Sequence, residues 1–407
     1  MRQICALGLS VFLLSLVAPV QAKPSTVAPS IAGYWVGEKP ASTGADKPGG
    51  EEAAYYDPAD RSALTPAVWR ALQENRVPLY LHLRYGRDFG VTRPGVHSDA
   101  VELVRKANTL GIPVISWVVV PYEQGYWAYQ GNAPANAEAV KAWVAWKRAN
   151  QLRFVSVVLD QEFSWQNLRT YVPLAMSSDP QKLDAWMAGN IDPEAQCRAL
   201  NVYRDLISWA HRQGVRADAA VAPMVIDDVE DGDMALQNAL QISATSRYDR
   251  MYLMAYRSAV SQAGFDPGPA YIAANYASMQ KHFGRGGQIS LGIPGQAPYG
   301  DLQPLVQDVR LLAGLGAKAV PIFSLEEMVH AFGADGVRAV ADAARHPMNR
   351  DELAQFSKPT AGFERMMAAG KAKNARATEL TIARGRQIPN RWPDGCGDPA
   401  VTPLARK

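Results

Sequence analysis

Short apolar runs alternate along the chain with segments of helical period, regularly enough to name the elements. Residues 31–37, 77–83, 112–120, 154–159, 217–224, 248–256, 288–294 and 318–325 read as strands. The more continuously apolar of these suit a parallel sheet buried on both faces. Between them, residues 65–75, 98–110, 136–150, 192–213, 233–244, 271–283 and 302–315 carry helix-like patterns, and 334–344 closes the series. Ser98 is suited to cap its helix, while Gly111 and Gly214 stop theirs. Eight strand–helix units at intervals of about 30 to 45 residues are what a (β/α)8 TIM barrel needs. A doubly wound open sheet is the competitor. No GxGxxG or GxxxxGK[ST] follows the first strand, which weakens a nucleotide-binding version of it.

The fourth run is the one the rest is arranged around. Three valines and a leucine between Phe154 and Leu159 lead directly into Asp160 and Glu162, with Phe163, Ser164 and Trp165 behind them. Residues two apart on a strand point the same way, so both carboxylates are expected to project from its C-terminal end. In a parallel barrel that end carries the catalytic groups. Other acids fall at comparable places: Glu123 after strand three, Asp227 and Asp228 after strand five, Glu326 after strand eight.

The two ends of the chain differ from its middle. Residues 1–22 have a basic start at Arg2, an apolar stretch from Ile4 to Val20 and small residues near Ala22. That is the layout of a secretory signal peptide, so the mature protein is expected to be secreted or periplasmic. Residues 23–30 form a polar leader, 31–347 the barrel, and 348–407 a basic C-terminal extension expected to lie along the surface. Cys197 and Cys396 are the cysteines left after export, and one disulfide between them is the expectation in an oxidising compartment. The net charge of +3 gives no reason to expect nucleic acid or a membrane as partner. No CxxC or His-rich cluster supports a metal site, and no cofactor is expected.

Four separated segments resemble glycoside hydrolase family 18, the chitinase-like barrels. The family's acidic motif, D-x-x-D-x-D-x-E at the end of strand four, is matched by Val155, Val158, Asp160 and Glu162. Its M-x-Y-D on strand six is matched by Met254, Ala255, Tyr256 and Arg257; Leu291–Gly292–Ile293–Pro294 resembles its seventh strand, and Phe323 to Glu326 its eighth. The departures are two valines for aspartates, Arg257 for an aspartate and Phe323 for a tryptophan. A bare D-x-E is also similar to family 56, the hyaluronidases.

The resemblance implies an exported hydrolase of glycans containing N-acetylhexosamine. In it Glu162 is the general acid, Asp160 orients the substrate's acetamido group, and Tyr256 donates a hydrogen bond to that group's oxygen. Trp117, Trp127 and Trp165 are candidates to stack on sugar faces. Met254, Arg257, Phe323 and Asp227 complete the expected substrate-contacting set. Two alternatives stand beside it. One is a conventional retaining or inverting glycosidase with Asp227 as the second acid. The other is a carbohydrate-binding barrel without turnover. The loss of the two upstream aspartates predicts that no buried acid lies below the pair.

Overall fold

A computed structural model describes residues 28–36, 62–84, 98–176, 179–245, 247–262 and 264–383. The expected leader at 1–22, most of 23–30, Cys396 and the rest of 384–407 lie outside the described residues. Eight parallel strands close into one barrel in chain order. They are β1 (Ala32–Val36), β2 (Leu79–Arg84), β3 (Val114–Val119), β4 (Ser156–Gln161), β5 (Arg216–Val221), β6 (Arg250–Met254), β7 (Gly287–Gly292) and β8 (Val320–Phe323). Every expected strand is present, and the barrel replaces the open-sheet alternative because β1 pairs with both β2 and β8.

Register decides which side chains fill the interior. Trp35 pairs with Tyr80, His82 with Trp117, Trp117 with Val158, and Val158 with Asp218. Trp35 lies against Tyr80, Trp117 and Tyr252, rings from four strands meeting in one place. Since alternate residues share a face, Asp160 and Glu162 follow Val158 on the inner side, toward the strand's C-terminal end.

The expected helices are present with shifted ends. They include α1 (Pro66–Asn75), α2 (Ser98–Thr109) and α3 (Ala133–Ala149). Between β4 and β5 lie α4 (Trp165–Met176), α5 (Pro180–Asn190) and α6 (Pro193–Arg212), of which only the last was expected. The helix expected at 233–244 is the shorter α8 (Ala235–Leu240), and an unexpected one, α7 (Val225–Asp231), precedes it. Gly232, at φ +86, ends α7, and Asp228 accepts the N–H groups of Leu236 and Gln237 at the start of α8. Next come α9 (Arg257–Ser261), α10 (Pro269–Phe283) and α11 (Leu302–Gly314). The last expected helix is the second half of α12 (Leu325–Ala343), which bends at Gly333.

The extension contains α13 (Arg350–Phe356) and α14 (Ala361–Ala383). The second buries Asn374, Ala377 and Thr381 and packs on α5, α7 and α8. Cys197, on α6, is disulfide-bonded. Among the described residues no helix is long and apolar enough to cross a membrane.

Candidate active site

β4 begins two residues later than its apolar run, so Asp160 lies within the strand and Glu162 just beyond it. Val155 falls before the strand and is 47% exposed. The first family aspartate would therefore occupy an open position here, while Val158 is wholly buried.

Asp160 is buried and Glu162 partly so, with protein packed densely about its carboxyl. The two side chains share a hydrogen bond. Burial, which disfavours the charged form, raises Glu162 to about 7, and the bond to Asp160 opposes that shift. A carboxyl that keeps its proton near neutrality can deliver it to a leaving group.

Their backbone is held from both sides. The loop after β3 makes a single parallel bridge, Ala128 to Gln161. Ala128 N donates to Asp160 O at 2.8 Å and Glu162 N donates to Ala128 O at 3.2 Å. On the other side, β5 pairs with β4 through Val221 and Gln161.

Tyr256 follows β6, with one strand between it and the acids; strand spacing puts the backbones about 10 Å apart. Its ring stacks on Phe323 at 5.9 Å between centroids and 11° between planes. Its hydroxyl lies 3.4 Å from Ser290 Oγ, which also accepts the Trp35 indole N–H and donates to Pro321 O. Met254 pairs with Ser290, so it also lies on the inner face at this end. Trp127 and Trp165 pack together at 5.6 Å behind the acids, and Trp165 keeps part of its surface open.

Three expected contacts are placed differently. Trp117 is 2% exposed, wedged beside Trp35 and His82 with an edge to Phe323. It is a core residue with no open face for a sugar. Arg257 gives Nε and Nη2 to Asp266 and Nη1 to Asp308, with Tyr299 OH also donating to Asp308. That ion-paired fork is buried and fully engaged, which takes Arg257 out of the substrate set. Asp227 lies against Gly370 of α14, where an added Cβ would stand 3.1 Å from its Oδ1. Burial raises it to about 6, against the pull of Lys373 and with the push of Asp231. Packed under a helix, it is badly placed to serve as a second catalytic acid. Of the other acids, Glu123 is exposed on the loop and Glu326 is buried at the start of α12.

Sequence reasoning missed a buried acid below the pair. Asp218, on β5, is fully buried beside Val158. It accepts from Ser156 Oγ at 2.7 Å, from Arg216 Nε and Nη2 at 2.9 Å each, and from Tyr252 OH at 3.2 Å. The expectation that loss of the upstream aspartates empties this layer is thus corrected: the neighbouring strand supplies the carboxylate. The signal was available in Asp218, a charge inside the strand expected at 217–224, with Arg216 just before it.

Asp228, Asp231 and Asp233 bring carboxylate oxygens within 4.8 Å of one another. These oxygens accept main-chain N–H groups at the start of α8 and side chains from α14, so the cluster reads as a capped turn.

No family model matches this chain, and no curated protein matches it. It is similar to the PgaB glycoside hydrolase domain from Bordetella bronchiseptica at 13% identity and TM-score 0.44, covering 71% of this chain and 96% of that one. It is also similar to a chitinase from Chromobacterium violaceum, at 13% identity and TM-score 0.43 over 69% and 94% of the two chains. A mutant mandelate oxidase is similar too, at 14% identity and TM-score 0.33 over 75% and 71%. Likeness at this level carries no argument; the barrel rests on its own strand pairing, and the chemistry has to be argued from the residues.

Proposed function

We propose that the protein is an exported glycoside hydrolase that cleaves glycans containing N-acetylhexosamine with retention, using the substrate's own acetamido group. The observation that carries the reading is the Asp160–Glu162 pair at the C-terminal end of β4, one carboxyl holding its proton to about pH 7 beside another. In the first step the acetamido oxygen attacks the anomeric carbon while Glu162 passes its proton to the glycosidic oxygen, and that bond breaks. An oxazolinium ion and a free hydroxyl result. Asp160, bonded to Glu162 at the start, stabilises the positive charge that develops. Water then attacks the anomeric carbon, opens the ring and returns a proton to Glu162. Tyr256, stacked on Phe323 across the mouth, is the candidate donor to the acetamido oxygen.

The position of Asp227 beneath α14 favours this scheme over one that needs a second protein carboxylate. The test is turnover of chromogenic N-acetylglucosamine oligomers beside plain glucosides. Release from the former alone supports substrate assistance. Equal release from both rejects it, and binding without release supports the carbohydrate-binding alternative.

A further inference from the structure

We propose that the loop joining β3 to α3, residues 121–132, is the positioning arm of the acid pair, with Tyr126 and Asn132 as its positioning residues. The inference rests on the reading of Glu162 as proton donor. The arm reaches the acids through main-chain bonds. Besides the two between Ala128 and the Asp160–Glu162 backbone, Trp165 N donates to Gly125 O at 3.0 Å. The strand end and the first turn of α4 are therefore both tied to one loop, and Glu162 lies between the ties.

Two side chains give the loop its shape. Tyr126 adopts φ +66, a left-handed conformation rare for an aromatic residue. Such a conformation persists only where the surroundings enforce it, and it is found disproportionately at functional sites. Here the ring is wholly buried, its hydroxyl is 2.9 Å from His82 Nε2, and its carbonyl accepts Val120 N. His82 in turn packs on Trp117 inside the barrel. Tyr126 thus fastens the arm to β2 and β3. Asn132 closes the other end. Its Oδ1 accepts from Tyr129 N and Asn136 Nδ2, and its Nδ2 donates to Gln124 O and Trp127 O. Trp127, its carbonyl held by Asn132, then packs on Trp165 at the start of α4.

A loosened arm would free the Glu162 backbone, admit water to its carboxyl and lower its affinity for a proton. The titratable groups around this end among the described residues include Asp160 on β4, His82 on β2, Glu123, Tyr126 and Tyr129 on the arm, Tyr248 bonded to Gln161, Tyr256 after β6 and Glu326 at the start of α12. None of these is altered in the Asn132 variant.

The experiment is titration of glutamate carboxyls in the full chain by carbon-13 NMR, with Glu162→Gln assigning the signal. Wild type, Tyr126→Phe, Asn132→Ala and the remote core variant Leu312→Ala are compared. Both arm variants should lower the Glu162 midpoint by at least about half a pH unit, roughly a threefold change in acid dissociation. Leu312→Ala should lower the melting temperature and leave the midpoint in place. On a chromogenic substrate the arm variants should lose about tenfold or more in kcat with KM changed less than about twofold. A midpoint unmoved in both arm variants overturns the proposal, whatever their stability. A midpoint that moves while wild type turns over no glycan overturns the hydrolase reading and leaves the arm standing.

Discussion

Asp218 and Glu162 sit on neighbouring strands of one barrel, both turned inward, and their surroundings differ in kind. Asp218 meets the two-pronged Arg216 guanidinium, the Ser156 hydroxyl and the Tyr252 hydroxyl. Glu162, nearer the mouth, shares a side-chain bond with another acid, Asp160. The first arrangement consumes the carboxylate's hydrogen-bonding capacity in holding β4, β5 and β6 together. The second keeps a proton on the carboxyl up to about pH 7, at the C-terminal end of the barrel. Residue type alone does not separate structure from chemistry here; the counter-charge does.

The largest expected effect tests the upper acid. Glu162→Gln keeps shape and removes the proton donor, so turnover should fall by about 10²- to 10⁴-fold with substrate binding retained, as steady-state kinetics and calorimetry would report. A variant as active as wild type would end the proposed role.

The lower acid should answer in stability. Asp218→Asn leaves Arg216 without its charge partner inside the barrel, and a loss on the order of 2–3 kcal/mol is expected in urea unfolding after allowance for the partly exposed guanidinium. A loss no greater than that of a surface substitution would erase the contrast between the two sites.

A smaller effect should have the opposite sign at the upper site. The folded Glu162 carboxyl sits above its ordinary value of 4.5. This group therefore favours the fold fully below that value and progressively less as pH rises through about 7. Relative to wild type, Glu162→Gln should gain stability above pH 7, on the order of 2 kcal/mol, with most of the gain gone near pH 4. Thermal melts across that range would expose a flat difference, which would mean the carboxyl is not raised.

The smallest effect concerns Asp227, raised to about 6 under α14. Asp227→Asn should change turnover by less than about threefold, because the proposed chemistry needs no second protein carboxylate. Its stability should rise by about 1 kcal/mol above pH 6 and less below it, by the same sign argument. A loss of turnover as deep as that of Glu162→Gln would instead favour the conventional mechanism.

The amino-acid sequence by itself determined eight strand–helix units and so favoured the barrel, while its closure was decided by the pairing of β1 with β8. It also located Asp160 and Glu162, because a two-residue period carries both onto one face. Other features were decided only by tertiary structure, since they join distant parts of the chain. Val158 and Asp218 are neighbours through strand register, 60 residues apart in number. Arg257 reads as a site residue until Asp308 closes on it. Asp227 reads as a free carboxylate until α14, well over 100 residues later, covers it. Tyr126 reads as one aromatic in a loop until its backbone twist and its bond to His82 are seen. In each case the local pattern supplies a chemical group, and its charge state and access depend on neighbours that no local pattern names.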